Sequence, residues 1–167
     1  MIGPDIFDAH EQAIRLRRAI NEKASKYGAL DRPLLIVTNS IQHQSERDLT
    51  LAVVGDYDYQ VNTVTRDVSI RRKPNGVFVN TKGPRNVNMS AVMHGNFGAI
   101  TFTRDNPDLR IVQHPYAAQP LPRGLFPFCE EWHYDAEGAG VVTPASISLA
   151  DFLGFPEGWP YFDQDPE

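Results

Sequence analysis

Residues 5–40 read DIFDAH EQAIRLRRAI NEKASKYGAL DRPLLIVTNS, and this stretch decides the fold. Ile6, Ala9, Ala13, Leu16, Ile20, Ala24 and Tyr27 recur at three- and four-residue steps, which lines them along one face of a helix. Asp5 is the expected N-cap, because its carboxylate can accept from free backbone N–H groups of the first turn. Gly28 stands where a left-handed C-terminal residue is wanted, and Lys23 and Lys26 suit the negative end of the helix dipole. After a turn through Pro33, Leu34-Leu35-Ile36-Val37-Thr38 is apolar without alternation, the pattern of a strand covered on both faces. The expectation is a long helix feeding the central strand of a sheet.

At about 100° per residue, His10, Arg17 and Asn21 project within about 40° of one another, beside the apolar face. Glu11, Arg15, Arg18, Glu22 and Lys26 occupy the far side, as a solvated face should. Two readings of the three border residues stay open. Either they satisfy local polar groups with their stems along the apolar surface, or they line a site.

Outward from this unit, residues 41–113 read as a short helix followed by β structure. Ser45 with Asp48 has the form of a capping box ahead of Leu49, Leu51, Ala52 and Val53, and Gly55 is the expected stop. Val61, Val64, Val68 and Ile70 alternate in part and lead into Arg71-Arg72-Lys73. Pro74-Asn75-Gly76 is a turn signal before Val77-Phe78-Val79. Met89–Met93, Ala99–Thr103 and Leu109–Val112 are further short strands, most simply an antiparallel set flanking the first. Residues 114–167 are rich in proline and aromatics, so an extended wrap is expected there, anchored by rings such as Phe126, Phe128, Trp132 and Tyr134. Ser148 is the expected cap of a short helix stopped by Gly154.

The predicted fold is therefore α/β or α+β: a mixed sheet packed by one long N-terminal helix, with a proline-rich C-terminal wrap, in a single domain spanning 1–167. A chain of 167 residues can bury a real core. Its formal charge of −5 gives no global attraction to nucleic acid, although bases gather in the first helix and between Arg66 and Arg85. The single cysteine, Cys129, excludes an internal disulfide and reads as a buried structural thiol. No apolar run approaches the roughly 20 residues of a membrane span, and no signal-peptide pattern opens the chain, so a cytoplasmic protein is expected.

Familiar catalytic motifs are missing. There is no Gly-rich phosphate loop, no His-Glu-x-x-His and no Gly-x-Ser-x-Gly. His43, Asp48, Asp56 and Asp58 are metal-capable types, but their spacing matches no standard metal loop and turns or caps explain them, so no metal site is assigned. Lys82-Gly83-Pro84-Arg85 sets two cations around a turn, a form that suits a phosphate but is commoner as an ordinary hairpin connection. Glu130-Glu131-Trp132-His133 places acids near a histidine, with adjacent residues of an extended chain pointing to opposite sides.

Several segments taken together carry a resemblance. They are Lys23-Ala-Ser-Lys26-Tyr27-Gly28-Ala-Leu30-Asp31-Arg32-Pro33 with the strand after it, and Asp48 through Gly55. Further on come Gly76-Val-Phe, Gly83-Pro84-Arg85-Asn86 with Ser90-Ala91-Val92, and His114-Pro115-Tyr116-Ala117 with Pro120-Leu121. In this order they resemble a group of bacterial proteins distantly similar to the PD-(D/E)XK nuclease-like superfamily. The resemblance implies a helix and strand that follow a catalytic Asp/Glu-x-Lys hairpin, which would lie upstream of Met1. No Asp or Glu is followed two places later by Lys in this chain, so the Mg²⁺ ligands of such an enzyme cannot be assigned and independent catalysis is not expected. The resemblance also implies that His10, Arg17 and Asn21 face the site; Lys82 and Arg85 are further nucleic-acid candidates on their own turn, apart from the resemblance. The alternative expectation is a non-catalytic interaction module that assembles through an exposed helix or sheet edge. A homodimer, or an upstream domain covering that edge, is the matching partner.

Overall fold

The computed structural model describes residues 4–39, 46–97, 109–135 and 139–156; the side chains of residues 4–10 and of Glu46 lie outside that description. Helix α1 (Pro4–Ala24) is followed by strand β1 (Leu35–Asn39) and helix α2 (Glu46–Val53). A β-ribbon follows, β2 (Tyr57–Val61) with β3 (Val68–Arg72), then the short pair β4 (Val79–Asn80) and β5 (Gly83–Pro84). Strands β6 (Ala91–Gly95), β7 (Arg110–Gln113), β8 (Glu130–Tyr134) and β9 (Gly140–Thr143) precede helix α3 (Leu149–Leu153). The main sheet is mixed, in the order β1-β6-β7-β8-β9, with parallel pairs β1–β6 and β7–β8 and antiparallel pairs β6–β7 and β8–β9.

The periodicity of α1 is realised. Leu16, Ile20 and Ala24 pack with Leu49, Ala52 and Val53 of α2 onto Ile36, Val92, Val112 and Tyr134 of the sheet. Burying a side chain such as Ile20 stabilises the fold by about 1.5–3 kcal/mol. The opposite face of the sheet, Ala91, Met93 and Ile111, packs against Leu121, Phe128, Cys129 and Leu149. The sheet thus lies between the N-terminal helices and the segment that carries most of the prolines.

Several local expectations need correction. Asp5 does not precede the helix, which already includes Pro4; proline fits a first helical position because its missing N–H would have no partner there. The helix ends at Ala24 rather than running to Tyr27, and Gly28 is not left-handed. The Asn88 side-chain amide instead donates to the carbonyls of Ala24, Tyr27 and Gly28, so a distant side chain ends the helix. Strand β1 is not central. It is an edge strand among the described residues, with Ile36 and Thr38 buried and Val37 43% exposed, so its faces are not equally covered. The 61–70 stretch forms a ribbon of its own rather than a flank of the main sheet. Residues 114–167 are not coil throughout, because β8 and β9 fall in the proline-free interval between Pro127 and Pro144.

Other readings are realised. Ser148 caps α3 by accepting from the Asp151 N–H, and Gly154 ends it in the left-handed conformation. Gly55, at φ 116°, follows the end of α2. A Cβ on Gly76 would stand 2.4 Å from the Val53 carbonyl oxygen, so the chain returning from the ribbon runs hard against the end of α2. There Val77 and Phe78 donate their N–H groups to the Ala52 and Val53 carbonyls. Ser45 and the expected strand 99–103 lie outside the described residues.

Candidate functional site

The side chain of His10 is outside the described set. Arg17 and Asn21 are engaged in packing contacts at the α1 border. Arg17 donates to the Leu51 carbonyl at 2.7 Å and to Asp56 Oδ1 at 2.8 Å. Asp56 is held in turn by Asn75 through both backbone and side chain. Asn21 Oδ1 accepts from Asn86 Nδ2, whose residue stands at φ 54°. Lys82 and Arg85 are exposed around the β4–β5 turn, where the Lys82 N–H donates to Asn80 and the Arg85 carbonyl receives the ring of His114. The fold therefore brings Arg17 and Asn21 to one seam and leaves Lys82 and Arg85 on another turn. None of the four lines the concavity beside the β2–β3 ribbon.

That concavity arises from the ribbon. In the β2–β3 register Tyr59 faces Ile70 and Val61 faces Val68, which puts all four on one side, with Asp58, Gln60, Ser69 and Arg71 on the other. The apolar side is open: these four residues are 58–60% exposed and Val64 at the tip is 88% exposed. The ribbon root is fixed. The Arg72 guanidinium stacks 3.7 Å from the Tyr57 ring centroid and donates to the Gly55 carbonyl, while the Lys73 N–H donates to the Asp56 carbonyl.

Between this root and the ends of β7 and β8 lie three depressions that share walls. The first, about 570 Å³, runs from Tyr57, Ile70 and Lys73 to Tyr116 and Tyr134. The second, about 610 Å³, has Arg47, Tyr59, Arg72 and Trp132 in its wall and meets the first at Tyr57, Arg72 and Tyr134. The third, about 470 Å³, continues past Tyr116 and Tyr134 to Arg123 and His133. Their adjoining walls, called the groove below, carry five cations (Arg47, Arg71, Arg72, Lys73 and Arg123) against one acid, Asp135, and Lys73 is itself paired with Asp58 at 3.6 Å. Arg47, Arg71 and Arg123 are exposed. A chain of net charge −5 thus presents a locally basic trough faced with aromatic rings.

At the far end of the groove, Glu131 and His133 stand two residues apart on β8 and so share a face of the strand. His133 Nε2 lies 3.0 Å from Glu131 Oε1. Glu131 is buried and also accepts from Gln113 Nε2 at 2.8 Å and from the Gly124 N–H at 2.8 Å. In the sequence the signal for this pair is the i, i+2 spacing rather than the adjacency of Glu130 and Glu131. His114 nearby is a structural group. Its Nε2 contacts the Arg85 carbonyl at 2.7 Å, its Nδ1 accepts from the Tyr116 N–H, and burial holds its pKa below the usual histidine value.

A second polar cluster is internal. His94 is buried, with Nδ1 2.8 Å from the Thr38 hydroxyl. Burial, then the charge of Arg110, pushes its pKa down to about 4, against a smaller opposing pull from Asp48. Arg110 itself pairs with Glu130 at 3.0 Å. Cys129 is buried and its thiol is pushed up to about 12, mainly by desolvation and further by Glu131, in keeping with a structural role. Among the described residues no three His, Cys, Asp or Glu side chains gather so as to hold a metal ion. No described helix is long and apolar enough to cross a membrane. Comparison with protein-family models, curated proteins and solved structures finds no match to the chain.

Proposed function

We propose that the groove binds a single-stranded nucleic acid, as the binding surface of a nuclease-like domain. One observation carries this reading: five cations and the rings of Tyr57, Tyr59, Tyr116 and Trp132 line adjoining depressions that share wall residues. Cations spaced along a trough suit a phosphodiester backbone, and ring faces suit unpaired bases of any sequence. The resemblance to nuclease-like proteins supports the same class of polymer.

The test is fluorescence anisotropy of labelled single-stranded oligonucleotides over a salt series. Binding should weaken as salt rises, with a log–log slope of about −0.7 per neutralised phosphate. Replacing Arg71 and Arg123 together by Ala should flatten that slope by more than about one, and Tyr59→Ala should cost roughly 1–3 kcal/mol of affinity. No binding, or binding indifferent to salt and to these substitutions, would defeat the proposal.

The position of β1 favours a second reading, assembly through the sheet edge. The Leu34 carbonyl faces β6, where it accepts from Ser90, so by alternation Leu35, Val37 and Asn39 turn their backbone groups outward. Lys23 Nζ reaches the Val37 carbonyl at 3.2 Å and guards one of them. Sedimentation analysis should then show a dimer that Val37→Lys dissociates; a monomer throughout the concentration range would rule this reading out.

A further inference from the structure

We infer that the far end of the groove is a metal-independent site for cleaving RNA, with His133 as the general base acting on a ribose 2′-hydroxyl. The inference rests on the nucleic-acid reading of the groove and names its substrate class. It goes beyond the missing Asp/Glu-x-Lys motif, which bears only on metal-dependent hydrolysis.

The geometry carries four points. First, Glu131 is buried and fixed by Gln113 and the Gly124 N–H, so it cannot swing away from His133. Second, His133 Nε2 is engaged with Glu131. The negative charge beside Nε2 favours the tautomer that carries its hydrogen there, which leaves the lone pair on Nδ1 to accept a proton. His133 lines the depression, and its Nδ1 makes no hydrogen bond to another described residue. Third, Arg123 lines the same depression and can neutralise a phosphate there. Fourth, the lining offers Tyr and Asp oxygens but no Ser, Thr or Cys, and an attacking oxygen can come with the substrate. RNA brings one: its 2′-hydroxyl is held beside the phosphorus within the same nucleotide, with the high effective concentration of an intramolecular reaction.

The step balances. The 2′-hydroxyl proton passes to His133 Nδ1 as the O2′–P bond forms. The P–O5′ bond then breaks, and the departing 5′-oxygen takes a proton from water. His133 returns its proton to solvent. The products are a 2′,3′-cyclic phosphate and a free 5′-hydroxyl, with no oxidant, reductant or metal required. Arg123 offsets the charge that builds on the phosphoryl oxygens. Glu131 is a positioning residue, because it touches the base and not the substrate.

The experiment incubates the full chain with labelled single-stranded RNA in excess EDTA, beside the same sequence as DNA and as 2′-O-methyl RNA. Expected are RNA fragments ending in cyclic phosphate, with DNA and 2′-O-methyl RNA bound and intact. His133→Ala should lower the rate by roughly 100-fold or more. Glu131→Gln, which keeps the side-chain shape but only one of the two acceptor oxygens that Gln113 and Gly124 use, should lower kcat by at least about tenfold with oligonucleotide Kd unchanged, beside a fall in Tm from the lost acceptor. A purely structural role for Glu131 would move Kd together with Tm and leave kcat of the folded protein unchanged. Binding without cleavage, cleavage abolished by EDTA, or cleavage equal in His133→Ala would overturn the inference and leave the binding groove standing. Failure to bind any of the three polymers would overturn both.

Discussion

Acid should weaken this fold through one buried histidine. His94 sits on β6 with Arg110 as its register partner on β7, Thr38 at its ring on β1, and Asp48 of α2 acting on it electrostatically. Burial first, and Arg110 second, hold its pKa near 4 against an ordinary 6.5. The folded state therefore refuses a proton that the unfolded chain accepts between those values. Because the unfolded state binds more protons in that window, stability rises with pH across it. The contribution is complete above about pH 6.5 and lost progressively down to about pH 4. At about 1.4 kcal/mol per pH unit, the difference amounts to roughly 3 kcal/mol, a large part of the 5–15 kcal/mol typical of a domain. Urea unfolding followed by tryptophan fluorescence from pH 7.5 to 4.5 measures it. His94→Gln keeps a polar partner for Thr38 and cannot ionise, so its stability should fall less steeply with acid by about 1 kcal/mol per pH unit. His114, lowered in the same direction by burial, remains in both proteins and drops out of the difference. Equal pH slopes in the two proteins would refute the argument.

Two further outcomes follow from close packing. Gly76→Ala would set a Cβ 2.4 Å from the Val53 carbonyl oxygen and 2.7 Å from the Gly55 nitrogen, both backbone atoms, so the end of α2 must shift. A loss of about 1–3 kcal/mol or more in urea unfolding is expected, and an unchanged midpoint would contradict the close approach. Cys129, buried and with its thiol pushed up to about 12, should resist a thiol reagent at pH 8 until the protein unfolds; rapid labelling of the native state would contradict its burial.

What the sequence made legible depended on how local the cause was. Leu16, Ile20 and Ala24 announce a buried helical face by their own spacing, and Ser148 with Gly154 brackets α3 within seven residues. The place of β1 in the sheet was not local. Its apolar run is compatible with a central strand, but which strands pair is decided by β6 and β7, more than fifty residues on. The end of α1 is set by Asn88, some sixty residues away. The groove was the least legible part, since Arg47, Tyr57, Arg72, Tyr116, Arg123 and Trp132 come from separate segments that only the fold assembles. The Glu131–His133 pair was within reach, because period-two spacing on a strand puts both side chains on one face.

The polar border of α1 also gains a meaning that differs from the one its position suggested. A two-stranded ribbon with an uncovered apolar side is marginal by itself, so the orientation of β2–β3 depends on its root. There Asp56 is the hub: its carbonyl receives the Lys73 N–H, one carboxylate oxygen receives Arg17 and the other receives Asn75. Arg17 and Asp56 are each about 15% exposed, which strengthens their pairing relative to a surface ion pair. Arg17 also holds the Leu51 carbonyl near the end of α2, so one guanidinium joins α1, α2 and the ribbon. Tyr57, Ile70 and Arg72 reach the groove from the two strands whose root this joint helps to fix. Arg17 therefore acts on the groove without entering it, and its influence passes through the Asp56 carboxylate.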